Sequence, residues 1–468
     1  MKSRVAPVLS DIESSFDAYL RQLMAFGGIP SVSADGFDPQ EVKRSADFTA
    51  TILRDVGMTD IQIWTPAGGH PYVMGGWMGK PGAPTVLLYG HHDVQPPGRP
   101  EVWETPAFDP VVRENGRLYG RGVVDDKAGV MMHVAAIASW MKVHGELPLN
   151  VKFIVDGEEE IGSPKLGEIL RAHKDELKAD ILVLNDTANH DTGIPSLTYR
   201  LRGIVAVDVE LASVKERLHS GMWGGPVPDP VMGLSKLLST LVNEDGSIAV
   251  RSLLEGVRPP SEWEKSRLDA LPYKEEDFRA QAGLLDGVKF AGRAGLSVFE
   301  KLWFQPSIAV TAMEASPLKG ATNQIIDSAR ARIGVRTVPD QDPFKMRDAL
   351  MDHLRRHVPL GMRLTMKAHD TAPWWRDEPS GPAVDAAVDA LREGFGREPV
   401  FIGCGGTIPF VEPIVRAFPG LPAILVGVED PICRAHAENE SLHLGDWKKG
   451  MRASAILYDN LSRVSART

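Results

Sequence analysis

Thr85-Val86-Leu87-Leu88-Tyr89-Gly90-His91-His92-Asp93 decides how the rest of the chain is read. An uncharged run of this length suits a strand buried on both faces. Gly90 then turns the chain directly into two histidines and an aspartate. The same construction recurs downstream. Val151-Lys152-Phe153-Ile154-Val155 leads into Asp156-Gly157-Glu158-Glu159-Glu160, and Ile181-Leu182-Val183-Leu184 leads into Asn185-Asp186. Between the first two runs, Gly129 to Met141 reads as an apolar helix rich in Ala and Met. Strands alternating with helices predict an α/β fold with a mixed, mainly parallel sheet. Such sheets place their ligands beyond the carboxyl ends of the strands, where all three runs end in a candidate metal or acid–base residue.

The pattern changes near residue 203. Val205, Val207, Val209 and Leu211 alternate with Ala206, Asp208 and Glu210, as in a strand covered on one face. Asp229-Pro230 reads as N-cap and first-turn proline of a helix carrying Leu234, Leu237 and Leu241. A second helix is expected through Phe344, Leu350 and Leu354, and a strand over Leu364 to Ala368. These elements predict an α+β insert with an antiparallel sheet. Residues 244–300 read only as helices and loops. The first pattern returns with a helix to Phe395, a strand at Ala423-Ile424-Leu425-Val426 and a closing helix from Trp447 to Leu461. The expected division is 1–202 and 384–468 for a catalytic domain split in sequence, with 203–383 looped out of it.

The totals narrow the function. A chain of 468 residues with 43% hydrophobic content supports two domains with sizeable cores. Its net charge of −10 argues against nucleic acid as the main partner. Cys404 and Cys433 are too few for a disulfide framework, which points to a reducing, cytoplasmic setting. Ile12, Phe16, Tyr19, Leu20 and Leu23 make the first segment an amphipathic helix rather than a signal peptide, and no apolar run is long enough for a membrane span.

His91 and Asp93, two apart on an extended turn, point the same way, so one can bind a metal while the other supports it; His92 points elsewhere. Asp125 follows the glycine-rich turn Gly120-Arg121-Gly122 and offers two oxygens, enough to bridge two metals, where a helix N-cap is the plainer alternative. In Glu158-Glu159-Glu160, one acid can bind metal while its neighbour takes a proton from water. Asp186 and His436 would complete two coordination spheres. Histidines and carboxylates gathered in this way read as a metallohydrolase.

Together these motifs resemble the co-catalytic zinc peptidase family of carnosinases, Cys-Gly dipeptidases, acetylornithine deacetylase and succinyl-diaminopimelate desuccinylase, over about residues 12–461. The resemblance implies metal ligands His91, Asp125, Glu160, Asp186 and His436, with Asp125 bridging across a cis Asp125–Asp126 peptide. It implies Glu159 as general base and Asp93 as the acid that supports His91. The insert resembles the family's lid and dimerisation domain. There His219, in Leu218-His219-Ser220-Gly221, matches a histidine that reaches the partner subunit's site to stabilise the oxyanion. Arg336, Asn323 and the Gly405-Gly406-Thr407 loop match positions that contact substrate, the arginine and the loop through its carboxylate. The long insert from Val242 to Val310 resembles the dipeptidase branch. The implied activity is hydrolysis of dipeptides or similar small substrates with a free carboxylate, by a homodimer holding two divalent ions, zinc first and Mn2+ or Co2+ as alternatives. An N-acyl amino-acid deacylase with the same dinuclear site is the rival reading, and a non-catalytic metal-binding scaffold a remote one.

Overall fold

The computed structural model describes residues 4–369 and 371–464. Its main sheet has nine strands. In spatial order they are Thr59–Trp64, Tyr72–Trp77, Asn150–Asp156, Thr85–His91, Ile181–Leu184, Ala423–Leu425, Ser196–Leu201 and Trp375–Arg376, with Val400–Cys404 also paired to Ser196–Leu201. The centre is parallel: Thr85–His91 lies between Asn150–Asp156 and Ile181–Leu184, all pointing the same way. Val86, Leu87, Leu88 and Tyr89 are fully buried, as expected of a strand covered on both faces.

One face is covered by the helices Val5–Gly27, Lys127–His144 and Leu444–Leu461. Lys127–His144 lies between the sheet and the other two helices, so it is apolar nearly all round rather than along one stripe. The closing helix binds it back: Trp447 donates its indole N–H to the Ala128 carbonyl at 3.0 Å. Its start also packs tightly against a strand end. A Cβ at Gly129 would lie 1.9 Å from Asp126 Oδ1 and 2.4 Å from the Asn185 carbonyl, so only glycine fits there.

At Arg202 the chain leaves Ser196–Leu201 and enters Gly203–Ala212, the third strand of a separate antiparallel sheet ordered Ser307–Glu314, Ser328–Thr337, Gly203–Ala212, Arg363–Ala368. Burial along Gly203–Ala212 alternates as the sequence predicts. Val205, Val207, Val209 and Leu211 pack on Leu234 and Leu237 of the helix Pro230–Ser239 and on Leu350 and Leu354 of Pro343–Arg356. Each such buried side chain contributes roughly 1.5–3 kcal/mol. Phe344 departs from the expected apolar stripe: it is exposed, and Met346 takes the inward position. Residues 244–300 form short helices, among them Glu262–Asp269 and Glu275–Gln281, joined by loops.

Candidate metal centre

The three parallel strands end side by side, and their carboxyl ends carry the predicted residues. His91 closes its strand fully buried. Asp125 accepts from both flanking imidazoles: Oδ1 lies 2.9 Å from His91 Nε2 and Oδ2 lies 2.9 Å from His436 Nε2. Glu160 Oε2 is 3.2 Å from His436 Nε2, and Asp186 Oδ1 is 3.7 Å from His91 Nε2. Donor atoms of His91, Asp125 and Glu160 fall within 4.8 Å of one another, as do those of Asp125, Asp186 and Glu429. The Asp125–Asp126 peptide is cis. Asp125 is not a helix cap; Asp126 occupies that position.

The backbone separates the roles of the three adjacent glutamates. Glu158 turns into the protein, where Tyr72 Oη donates to it at 2.8 Å and the amides of Lys165 and His70 at 2.7 and 3.1 Å. Glu159 and Glu160 turn the other way. Both are oriented by Asp93, whose carboxylate accepts the Glu159 and Glu160 amides at 3.1 Å each and the Ser33 hydroxyl at 2.6 Å. Asp93 meets His91 chiefly through its own carbonyl, 3.0 Å from Nδ1, with the carboxylate at 3.4 Å. His92 points away and is held by the Pro71 carbonyl at 2.9 Å.

The cluster carries more negative charge than its own imidazoles can balance. Burial, helped by the charges of Asp186, Glu160 and Asp125 and opposed by His91, raises Glu159 well above the ordinary carboxylate range. Burial and then the Asp126 charge raise Asp186, and burial and then the Asp125 charge lift Glu429 to about 8. His436 is driven the other way: burial opposes its proton, but Asp125 and Glu160 hold it up to about 12. Groups under such mutual repulsion fit a centre whose missing charge is supplied by divalent cations. Two imidazoles with carboxylates on either side of one bidentate aspartate form a donor set for two such ions.

A second cluster lies where the two sheets meet. Arg336 Nη1 donates to Thr407 Oγ1 at 2.9 Å, and Thr407 donates to the Arg202 carbonyl at 2.5 Å. Arg202 Nε holds the Gly405 carbonyl at 2.8 Å, and the Arg202 amide donates to the Gly406 carbonyl at 3.1 Å. The Gly405-Gly406-Thr407 loop is thus pinned beside Arg336. Among the described residues His219 and Asn323 make no hydrogen bond or ion pair with either cluster. They are exposed on a small ribbon in which Leu218–His219 pairs with Gln324–Ile325, and the Ser220 amide donates to the Asn323 carbonyl at 2.8 Å.

The profile of peptidase family M20/M25/M40 matches residues 87–460, which span both clusters. The chain belongs to that family. It is 32% identical over 362 residues to a cysteinylglycine-S-conjugate dipeptidase of Corynebacterium striatum, covering 77% of each chain. The structure of the dipeptidase Dug1p from Saccharomyces cerevisiae superposes with a TM-score of 0.90 at 26% identity, covering 99% of both chains. Human carnosine dipeptidase 1 superposes at 0.88 with 25% identity, covering 98% of this chain and 99% of its own. The protein is therefore a metallopeptidase of this family that uses divalent metal ions. Among the described residues no helix is long and apolar enough to cross a membrane.

Sequence reasoning overlooked Glu429 and Arg202. Glu429 follows the strand Ala423–Leu425, so the rule that identified Asp186 would have found it. Arg202 had no such signal, because its burial depends on a loop two hundred residues away.

Proposed function

We propose that this chain is a dinuclear-metal dipeptidase acting on small peptides with a free carboxyl end. The observation that carries the reading is the Asp125 carboxylate, whose two oxygens each lie 2.9 Å from a different imidazole, His91 and His436. In this reading His91, Asp125 and Asp186 hold one ion, and Asp125, Glu160 and His436 the other. Zinc suits the imidazoles, with Mn2+ and Co2+ as the alternatives. Bound ions would polarise the scissile carbonyl and make a water acidic enough to lose its proton near neutral pH. Glu159, raised by burial and by its neighbours, takes that proton and passes it to the leaving amine. Asp93 keeps His91 and the Glu159–Glu160 backbone in place, while Arg336 and Thr407 hold the substrate carboxylate beside the loop amides of Gly405 and Gly406.

Residues 203–383 would act as lid and dimerisation domain. His219 and Asn323 are exposed, and among the described residues neither bonds to an acid of its own chain, which suits service to a second copy. The outer strand of the second sheet, Ser307–Glu314, is exposed along most of its length and offers an edge for that contact. The free Cys404 and Cys433 suit a reducing compartment.

Metal-stripped protein refilled with zinc or manganese, given dipeptides and N-acyl amino acids in parallel, tests the substrate class. Cleavage of dipeptides only on metal return is the expected result, and activity confined to acylated compounds would move the chain to the deacylases. Glu159→Gln should lower kcat by about 10²–10⁴-fold with metal content unchanged. Mixing Glu159→Gln with His219→Ala subunits should restore activity that neither variant has, since one subunit's base then works with the other's histidine.

A further inference from the structure

Arg202 is 8% exposed, and among the described residues no carboxylate is paired with it. Its guanidinium donates to the Gly405 carbonyl and, through Nη1, to the Ser307 hydroxyl at 3.0 Å. Burial, then the neighbouring Arg336, pull it down to about 10. A buried cation with only neutral partners is costly, and an anion from outside relieves that cost.

Arg202 and Ser307 also form one wall of a cleft of about 670 Å³, a volume typical of small-molecule sites. Ser307 sits directly opposite Arg336 across the strand pair, so the cleft opens beside the group that would hold the substrate carboxylate. Arg293 and Lys301 add two more cations to its lining, and Phe278 and Phe290 supply apolar wall. No Asp or Glu lines it. Asp245, beside the lining residue Gly246, feels the charge of Lys301, but its Oδ1 is taken by the Ser247 amide at 2.9 Å and hydroxyl at 2.6 Å.

We propose that this cleft receives the side chain of the substrate's carboxyl-terminal residue and selects an anionic one, so that the preferred substrates are dipeptides ending in Glu or Asp. The inference rests on the dipeptidase reading, because it takes the Arg336–Thr407 pair as the seat of the main-chain carboxylate. The carbon that bears that carboxylate also bears the side chain. With the carboxylate fixed on Arg336, a side chain of two or three carbons reaches toward Arg202, Arg293 and Lys301. An amide of the same shape has no charge to give them.

The test compares kcat/KM for Ala-Glu and Ala-Gln, with Ala-Ala as reference, in wild type and in the Arg293→Met/Lys301→Met double variant. Two partly exposed charge pairs should favour Ala-Glu over Ala-Gln about tenfold at low salt. That preference should shrink as salt is added. The double variant should bring the ratio toward one, and the ratio is unaffected by how much of a preparation is folded. A wild-type ratio of one, or a preference that both substitutions leave undiminished, overturns the subsite while Ala-Ala cleavage leaves the dipeptidase reading intact. Failure on all three peptides, with N-acetyl-Glu or N-acetyl-Gln cleaved instead, overturns the dipeptidase reading, and the ratio of those two then decides the subsite.

Discussion

Replacing Asp93 by Asn changes one atom, and the structure gives its expected cost. The Asp93 carboxylate is fully buried and accepts three hydrogen bonds: Glu159 N on one oxygen, Glu160 N and the Ser33 hydroxyl on the other. An asparagine amide must set its NH2 against one of the two backbone N–H groups whichever way it is turned. The displaced donor is left unsatisfied at about 1–3 kcal/mol, and the remaining bonds lose the charge that strengthened them, at about 1 kcal/mol each. Part of this is offset. Burial, then the Asp93 charge, hold Asp156 up at about 7, and that repulsion is relieved. The net expectation is about 3 kcal/mol lost from the unfolding free energy of metal-free protein, with the denaturant slope unchanged. Metal affinity should fall about 10–100-fold, because Asp93 also positions His91 and the Glu160 backbone. Urea unfolding in chelator and calorimetric titration with zinc or manganese measure the two effects separately. A variant within about 0.5 kcal/mol of wild type that binds metal equally well would show that Asp93 organises neither the glutamate turn nor the histidine.

Three further outcomes are expected. His133 is fully buried beside Phe153 and Tyr458, and burial lowers its pKa to about 3. Its folded value lies below the unfolded value of about 6.5, so its contribution is complete above pH 6.5 and is lost as pH falls toward 3, at up to about 1.4 kcal/mol per unit. His133→Gln should flatten the stability–pH curve in that window, leaving the similar share of His92; an unchanged slope would contradict this. Asp430→Ala should cost about 3–5 kcal/mol in denaturant unfolding, since Arg117 donates to both Asp430 oxygens, at 2.7 and 2.9 Å, and would be left buried and unpaired. Arg336→Met should raise KM about 10–100-fold for peptides with a free carboxylate and leave kcat nearly unchanged. The same change should have no effect on KM for peptide amides, which steady-state kinetics on the paired substrates will check.

The sequence carried more of the centre than of its surroundings, for a physical reason. Strand ends in a parallel sheet converge by topology, so His91, Glu160 and Asp186 could be placed together from three separate short runs. Alternation in Gly203–Ala212 was legible because one face packs on helices and the other does not. Residues 244–300 resisted reading because their helices are short and their apolar residues lack a sustained period. Arg202 was invisible for another reason: an arginine after a strand resembles a solvated charge until the Gly405 carbonyl, brought from far along the chain, closes over it. Phe344 shows the limit of a helical stripe, since it lies in the first turn at the rim of the contact and faces solvent.

The hydrogen bond from Arg336 to Thr407 joins two bodies of the protein, since Arg336 belongs to the four-stranded sheet and Thr407 follows a strand of the main one. An anion bound there, as proposed for the substrate carboxylate, would be gripped by both at once. Its affinity would therefore report how well the two sheets are aligned, and a misalignment of about one ångström would weaken that hold without disturbing a single metal-binding side chain. On the proposed reading, the substrate's carboxylate would add a second tie across a seam that this hydrogen bond already closes, and a ligand lacking it would meet a complete centre with only one end held.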